Sequence, residues 1–436
     1  MNCEKFARKI VNKLPTKLQH IVYNITIEMR FLAFRIKVMG KTDKANPDPA
    51  KVYWISPQRI IYHINYLENM DEETAVPFRD RTFNCEKMRG KVVDGKWDIT
   101  NYKFAELDVY RSFEKRLLEG VEWQKTEYHY RVLKQIKSGR FARQLKNEDD
   151  LNERCRYLDS LVESIRKRGY SLNRNNLDAN IAFDEITVNI GRNGEYLFQD
   201  GVHRLSIVKI LGIKSVPVMV CVRHKKWHDF RKFVVSYAQS HDGGKLYQPI
   251  VHPDFEDLPY QMQDHNPRDL MEAIKRNLSK EKGTMLDIGA NLGYFCHKFE
   301  ELGYKCYAVE KDPATYRILE KIRVAEGKNF ETINKSIFQV DLVRNEKFDV
   351  VLALNIFHHF LKTEADFCQL KELLKNLKTN DLFFEPHRYQ EEQMKDAYVN
   401  YTETEFVEFL LRHMSLNKSE VIYTAESGRH VFRLSK

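Results

Sequence analysis

The chain has 436 residues, of which 42% are hydrophobic, 12% aromatic and 31% charged, and its formal net charge is +9. Because this composition can bury a large core, a wholly disordered or collagen-like chain is excluded. No stretch approaches the roughly 20 apolar residues that span a bilayer, and the first 14 residues lack the apolar core of a signal peptide. Seven scattered cysteines form no C-x-x-C pair, so we predict no metal site. We therefore expect a cytoplasmic protein of two or three units.

The first predicted region, residues 1–45, is a basic helical extension. Residues 1–42 contain nine Lys and Arg residues against Glu4 and Glu28, and apolar residues recur there at helical spacing. A basic amphipathic helix can make weak contact with an anionic membrane. A solvated helical face is the alternative interpretation, and the sequence leaves both open.

Residues 46–245 are predicted to form a mixed α+β domain. A helix is expected from about Leu151 to Arg168, and a strand–turn–strand pattern runs from Ile186 to Phe198. A further helix follows and stops at Gly212. The sequence does not assign a fold to residues 50–170.

A candidate anion site lies at the start of that further helix. Asp200 and Gly201 end the preceding strand, and His203 and Arg204 fall in the first helical turn. The helix dipole disfavours a cation at this end, so a bound anion would offset the cost, and arginine suits phosphate. The alternative is an internal ion pair of Arg204 with Asp200 or Glu185.

The segment resembles the ParB/sulfiredoxin-like superfamily, which carries an Asp/Gly-x-His-Arg turn at a nucleotide phosphate site. Phe183 to Ile186 also resembles the opening segment of that family, and the likeness covers about residues 180–230. It implies a phosphate- or nucleotide-binding site made of Glu185, Asp200, Gly201, His203 and Arg204. Some relatives bind DNA, but the absence of a recognition helix argues against a nucleic-acid partner.

A connector is predicted at residues 246–269, and residues 270–436 then alternate strand and helix. In the latter region, Asp287 to Gly293 joins a buried strand to a helix. Gly289 and Gly293 allow a tight turn and the close approach of a ligand. The helix that follows offers free backbone N–H groups to an anionic group.

An acidic residue, Glu310, ends the next predicted strand, 23 residues after Asp287. This spacing fits one strand–helix–strand unit, in which such an acid accepts hydrogen bonds from ribose hydroxyls. Position 291 is Asn where a dinucleotide fingerprint requires Gly, which argues against a nicotinamide dehydrogenase. The remaining pattern predicts three strands (330–337, 348–354 and 381–385), a helix (402–414) and a closing pair of strands.

Together, the loop, the acid and the strand succession resemble the class I S-adenosyl-L-methionine (SAM)-dependent methyltransferases over about 150 residues. The resemblance implies an α/β fold with a doubly wound, seven-stranded Rossmann-like sheet whose last hairpin is reversed, and SAM as cofactor. The implied cofactor-binding residues are Asp287, Gly289, Asn291, Gly293, Glu310, Ser336 and Asn355. Ser336 or Asn334 would replace the Asp that commonly binds adenine in this family.

Candidate catalytic residues follow the fourth and fifth predicted strands, at the edge where α/β sheets bind ligands. Methyl transfer to oxygen needs a general base, so we predict His359 as base or acceptor-orienting group, with Glu385 and His387 in the acceptor site. Because neighbouring side chains cannot point the same way, either His358 or His359 is expected to pack or to cap a helix. No Asn-Pro-Pro-Tyr motif follows the fourth strand, which argues against enzymes that methylate amino groups of DNA bases or glutamine.

The predicted function is methyl transfer to a small-molecule or glycan-type acceptor, through oxygen, with an accessory phosphate- or nucleotide-binding middle domain. The alternative is a ParB-like nucleotide-dependent kinase or hydrolase that carries a degenerate methyltransferase domain. The identity of the acceptor and the oligomeric state are not assigned by the sequence.

Overall fold

The computed structural model describes residues 29, 32, 45, 47–64, 88–139, 145–172, 185–240, 242–261 and 266–436. The predicted basic extension therefore lies outside the described residues except for Met29, Leu32 and Ala45, and so does the segment 183–184. The chain divides into two compact units, Met1–Lys232 and Phe233–Lys436. None of the helices in the described ranges has the length and apolar character needed to cross a membrane.

The strands described in the first unit are β1 (Val52–Ile55), β2 (Tyr62–His63), β3 (Lys91–Val93), β4 (Ile186–Ile190), β5 (Tyr196–Asp200) and β6 (Val216–His224). Its helices are α1 (Asp108–Leu118), α2 (Glu127–Lys137), α3 (Glu148–Arg168), α4 (Val202–Ile210) and α5 (Lys225–Ser240), which contains the boundary between the units. The 3-10 turns of this part are Pro57–Arg59, Phe104–Glu106 and Trp123–Lys125.

The strands described in the second unit are β7 (Thr284–Ile288), β8 (Lys305–Val309), β9 (Glu331–Ile333), β10 (Lys347–Leu354), β11 (Lys378–Glu385), β12 (Lys418–Thr424) and β13 (His430–Ser435). Its helices are α6 (Pro267–Arg276), α7 (Tyr294–Glu301), α8 (Pro313–Ala325), α9 (Leu342–Asn345), α10 (Glu364–Asn376) and α11 (Glu403–His413). The 3-10 turns are Asp242–Gly244, Pro253–Phe255, Ile337–Gln339, Phe357–Leu361 and Glu392–Met394.

The described strands of the first unit form one mixed sheet in the order β1-β6-β4-β5-β2, with β3 beside β6. β6 is buried along its whole length, as a continuous apolar run between two covered faces requires. β4 and β5 form an antiparallel pair in which Thr187 lies opposite Asp200. This register brings Glu185, just before β4, to the same end of the sheet as the start of α4.

The described strands of the second unit form a sheet in the order β12-β13-β11-β10-β7-β8-β9. The strands β7 to β11 are parallel to one another, whereas β13 runs antiparallel to both β11 and β12. This is the predicted doubly wound sheet with a reversed last hairpin. The carboxyl ends of its parallel strands meet at one edge, where such sheets bind ligands.

Hydrophobic burial on both faces explains why the central strands β7, β10 and β11 of the second unit are largely apolar. Leu286 and Ile288 of β7 pack into one core cluster, and Met285 packs into the other. Leu352 of β10 and Phe383 of β11 belong to the same cluster as Met285. These central strands are therefore covered on both faces.

Two predicted elements differ from the structure. The third strand, predicted at 330–337, is limited to β9, because the Asn334 amide leaves the ladder and donates to the carbonyl oxygens of Glu310 and Lys311. The predicted connector is partly helical, since α6 starts at Pro267 and its first turn is capped by Asn266. The domain boundaries predicted at residues 245 and 270 remain predictions.

Candidate cofactor and acceptor site

The loop after β7 approaches the loop after β10 so closely that it requires glycine. Gly289 has a φ of +76°, and a Cβ added there would lie 2.9 Å from Cδ1 of Ile356. Gly293 has a φ of +80°, and a Cβ there would lie 3.1 Å from Cγ of Leu319. Both glycines therefore allow the tight turn that the sequence predicts, with the side chains of Ile356 and Leu319 packed against them, while the close approach of a ligand remains a prediction.

Two asparagines mark the ends of the neighbouring strands β7 and β10. Among the described non-glycine residues, positive φ angles occur at Asn291 and Asn355, both at 51°. Asparagine tolerates this left-handed region better than other side chains. The side-chain Oδ1 atom of each is buried and has no hydrogen-bond donor among the described residues. Buried acceptors of this kind require a donor from water or a ligand.

Glu310 lies directly after β8 and binds the loop after β7. Its Oε2 accepts the backbone N–H of Asn291 at 3.0 Å, and its Oε1 accepts that of Asp312 at 2.8 Å. Burial raises the pKa of Glu310, and these two hydrogen bonds oppose that shift. Because a carboxylate has about four acceptor positions, two remain for a ligand hydroxyl pair.

Of the two acidic residues predicted to bind the cofactor, Asp287 is more deeply buried than Glu310. It is 3% exposed, and its Oδ2 faces the thiol of Cys296 on α7 at 3.7 Å. Burial raises the pKa of Asp287 to about 7. The carboxyl group therefore packs at the base of the loop, against the helix.

The predicted adenine-side residues lie after β9. Ser336 is half-buried and precedes the 3-10 turn Ile337–Gln339, which its side chain does not cap. Asn334 uses its amide N–H groups to join the ends of β8 and β9. Both remain predicted adenine contacts.

Segment 246–248, which sequence reasoning assigned to a connector, contacts both loops. The Tyr247 hydroxyl accepts a hydrogen bond from Nδ2 of Asn355 at 3.0 Å. The Oε1 atom of Gln248 faces the backbone N–H of Tyr294, the first residue of α7, at 3.4 Å. Nothing in the local sequence signals these contacts, because they join positions more than 40 residues apart.

Three histidine rings cluster after β10 and β11. His358 is buried and His359 is exposed, with 4.0 Å between their ring centroids, and the ring of His387 lies 5.7 Å from that of His358. The prediction that one of the adjacent histidines packs inward is thereby confirmed. Burial lowers the pKa of His358 to about 2 and also lowers the pKa of His359 and of His387. All three rings are therefore neutral at pH 7.

A hydrogen-bond chain fixes the orientation of His387. Its Nε2 lies 2.7 Å from Oδ1 of Asn400, whose Nδ2 donates to the carbonyl oxygen of Tyr389. Because that amide oxygen can only accept, Nε2 of His387 carries the hydrogen and Nδ1 keeps its lone pair. Nδ1 is buried and has no partner among the described residues.

Glu385, the third predicted catalytic residue, is buried and paired with an arginine that the sequence did not single out. The Arg429 guanidinium lies 3.5 Å from the Glu385 carboxylate and 2.6 Å from that of Glu391. Arg429 is 7% exposed at its side chain and precedes β13. Because β13 is antiparallel to β11, it begins where β11 ends, which explains how this distant residue reaches Glu385.

Two cavities of the second unit lie outside this cluster. One, of about 330 Å³, lies between the 3-10 turn Ile337–Gln339 and α10, and the other, of about 740 Å³, is lined by residues such as Ser279 and Arg433. Neither is lined by the histidines. Among the described residues, no group of three or more His, Cys, Asp or Glu side chains is arranged to hold a metal ion.

The predicted anion site of the first unit lies where β5 meets α4. The hydroxyl of Tyr170, which sequence reasoning missed, donates to Glu185 at 3.3 Å, and the nearby Arg204 guanidinium opposes the rise in the pKa of this hydroxyl that burial causes. A Cβ added at Gly201 would lie 3.3 Å from the Arg204 guanidinium. Glu185 and Arg204 therefore lie close together, near Tyr170.

The other two residues of that predicted site differ in exposure. Asp200 is exposed and accepts the N–H of Gly201, whereas His203 is buried and packs edge-on against Phe113 and Tyr128. His203 therefore packs among aromatic rings. The nucleotide-binding role of these residues remains a prediction.

Several solved structures are similar to the chain. The bifunctional kinase-methyltransferase WbdD is 16% identical over 46% of this chain and 46% of its own, with a TM-score of 0.37. Magnesium protoporphyrin IX methyltransferase (ChlM) from Synechocystis PCC 6803 is 14% identical over 39% of this chain and 79% of its own, with a TM-score of 0.30. The N-terminal domain of EvdMO1 is 12% identical over 47% of this chain and 94% of its own, with a TM-score of 0.35.

The match to WbdD spans less than half of either chain. No curated protein matches at a significant level. A family model described as a methyltransferase domain matches residues 262–412, which cover the loop after β7, Glu310 and the histidine cluster. The prediction of a methyltransferase domain in the C-terminal part is thereby confirmed, while the ParB/sulfiredoxin-like resemblance of the middle region remains a prediction. Residues 262–412 are therefore similar to a methyltransferase domain.

Proposed function

We propose that the second unit binds SAM and transfers its methyl group to a hydroxyl of a small-molecule or glycan-type acceptor. The observation that carries the proposal is the hydrogen bond between Glu310 and the backbone of Asn291, which joins the ends of β8 and β7. It presents a carboxylate with free acceptor positions beside a glycine loop and a helix N-terminus, the arrangement that suits a ribose and an anionic group.

The described residues fit such a cofactor. Glu310 would accept hydrogen bonds from the ribose hydroxyls, and Ser336 or Asn334 would contact adenine. The buried Oδ1 atoms of Asn291 and Asn355, which lack donors among the described residues, would accept hydrogen bonds from the ligand. When bound, SAM supplies an electrophilic methyl group on a sulfonium, and the protein contributes alignment and proton transfer.

The acceptor would bind beside the histidine cluster. Of the three predicted catalytic residues, His359 is exposed, so an acceptor can reach it without rearrangement. Its lowered pKa keeps the ring neutral, as a general base requires. His387, with its Nδ1 lone pair fixed by Asn400, and Glu385, paired with Arg429, would line the site behind it.

A titration calorimetry experiment on the full chain tests the cofactor. We expect micromolar binding of SAM and of S-adenosylhomocysteine, and an affinity at least tenfold lower in Glu310→Ala, which is about 1.4 kcal/mol. Glu331 on β9 forms an exposed ion pair with Lys305, so Glu331→Ala serves as the control and should bind both ligands normally. Equal affinity of Glu310→Ala and wild type would refute the site assignment.

The base is tested by methyl transfer from labelled SAM to a panel of hydroxyl, thiol and amine probes. We expect labelling of hydroxyl probes and a loss of at least about 100-fold in His359→Gln, with S-adenosylhomocysteine affinity unchanged. Labelling of amine probes alone would exclude the oxygen acceptor.

The second candidate function is a nucleotide-dependent kinase or hydrolase activity of the first unit. It is supported by the hydrogen bond from Tyr170 to Glu185 and by the position of Arg204 near the same hydroxyl, since an arginine and a carboxylate close together suit a phosphate and a base. Nucleotide with magnesium should then raise the melting temperature of the wild type but not of Arg204→Ala. If no nucleotide stabilises the wild type, the first unit has no such site.

A further inference from the structure

The segment that carries Tyr247 and Gln248 is fixed by a short backbone bridge. The N–H of Leu246 donates to the carbonyl oxygen of Pro259 at 2.9 Å, and its own carbonyl accepts the N–H of Gln261 at 2.8 Å. Leu246 is itself buried. The side chains of Tyr247 and Gln248, which follow Leu246, are therefore held at a defined position.

Gln248 is directed at the helix that starts the cofactor loop. Its side chain is buried, and its Oε1 faces the N–H of Tyr294 at 3.4 Å. Tyr294 is the first residue of α7, so this N–H has no acceptor within the helix. Gln248 thereby links the bridge to the end of the glycine loop.

Tyr247 fixes the orientation of Asn355. Because Nδ2 of Asn355 donates to the tyrosine hydroxyl at 3.0 Å, its Oδ1 must point elsewhere. That Oδ1 is the buried acceptor without a donor among the described residues. The strained backbone of Asn355, with φ of 51°, further restricts the position of the amide.

The strand order indicates which end of a ligand Asn355 would meet. Glu310 and Ser336 follow β8 and β9, on one side of β7, whereas Asn355 follows β10 on the other side. If Glu310 holds the ribose and Ser336 lies toward adenine, the amino-acid end of the ligand must extend toward β10. Its ammonium group carries three N–H donors, which suit a buried amide oxygen.

We infer that Tyr247 and Gln248 complete the cofactor site, and that Tyr247 is a positioning residue that directs Oδ1 of Asn355 at the ammonium group of the bound nucleoside amino acid. This inference rests on the proposed binding of SAM. It adds to the site two residues from a segment whose sequence indicates only a connector.

Titration calorimetry of the full chain with two ligands tests this role. S-adenosylhomocysteine has the amino-acid end, and 5′-methylthioadenosine lacks it. We expect Tyr247→Phe to bind S-adenosylhomocysteine about tenfold more weakly, with methylthioadenosine affinity unchanged within about twofold. Gln248→Glu, which keeps the shape and an acceptor oxygen, should retain the affinity for methylthioadenosine.

Tyr304→Phe provides a matched control, because it also removes a tyrosine hydroxyl, one that donates to the carbonyl oxygen of Lys280 just before β7. It should leave both affinities unchanged. Normal S-adenosylhomocysteine binding by Tyr247→Phe would overturn the inference and leave the proposed function intact. An equal loss for both ligands would also overturn it, because the hydroxyl would then support the whole site. If the wild type binds neither ligand, the proposed function itself fails.

Discussion

The carboxylate of Glu310 accepts the backbone N–H of Asn291 at 3.0 Å, which ties the end of β8 to the loop after β7. Glu310→Gln keeps the shape of the side chain, but the new amide group has only one acceptor oxygen. Its NH₂ group would face the backbone N–H of either Asn291 or Asp312, so that two donors oppose each other. We expect the free energy of unfolding to fall by about 1–2 kcal/mol. Chemical denaturation measures this change, and the exposed Glu331→Gln should alter stability by less than about 0.5 kcal/mol.

Gly289 and Gly327 provide a matched pair of glycine substitutions. Both have a positive φ, but a Cβ at Gly289 would meet Ile356 at 2.9 Å, whereas one at Gly327 would meet nothing within 4 Å. We expect Gly327→Ala to cost about 1 kcal/mol from backbone strain and Gly289→Ala about 2 kcal/mol or more. Denaturation curves compare them, and Ile356→Ala, which removes both contacting atoms, Cδ1 and Cγ1, should recover part of the difference. Equal costs would contradict the close contact.

Stability should depend on pH through His358. Burial, with smaller contributions from His359 and His387, lowers its pKa from 6.5 to about 2. The unfolded chain then binds a proton below pH 6.5 that the folded chain does not, so stability is unaffected above pH 6.5 and falls as the pH drops below it. From pH 7 to pH 5 the loss from this residue is about 2 kcal/mol.

The pH effect is measured by comparing wild type with His358→Phe in urea at pH 7 and at pH 5. Because the phenylalanine cannot take up a proton, its stability should fall less than that of the wild type over this interval. Identical losses in the two proteins would show that His358 titrates normally.

In the first unit, Asp98 and Arg192 form a buried clamp between two distant segments. The Asp98 side chain is fully buried and accepts the backbone N–H of Arg192 and two guanidinium N–H groups at 2.7–2.8 Å. Burial by itself raises the pKa of Asp98, but these hydrogen bonds hold it below its usual value. We expect Asp98→Ala to lower the free energy of unfolding by about 3 kcal/mol.

The exposed pair of Lys115 and Glu127 is the control for that clamp, because solvent screens it. Glu127→Ala should change stability by less than about 1 kcal/mol. Since the folded-state pKa of Asp98 is lowered, the stabilisation by the clamp is present above the usual aspartate range and is lost as the pH falls through the folded pKa. A pH-independent difference between Asp98→Ala and wild type below pH 5 would contradict the pairing.

Local patterns predicted the strands of the second unit well. Apolar runs such as that of β10 identify strands because both faces of a parallel sheet are covered. The two loop glycines and Glu310 were also identifiable, since a positive φ and an acid at a strand end depend on nearby sequence. The third strand was predicted too long because a single side chain, Asn334, bonds to the adjacent loop and ends the ladder.

The sequence by itself therefore determined the order of strands and helices of the second unit, the glycine loop after β7 and the acid that follows β8. Only the tertiary structure decided that Tyr247 contacts Asn355, that Arg429 pairs with Glu385 and that His358, not His359, is buried. Periodicity and turn residues act over a few positions, whereas these contacts depend on how strands distant in sequence are ordered in the sheet. The antiparallel strand β13 brings Arg429 to Glu385, and the backbone bridge at Leu246 brings Tyr247 to Asn355. No local sequence pattern encodes these contacts.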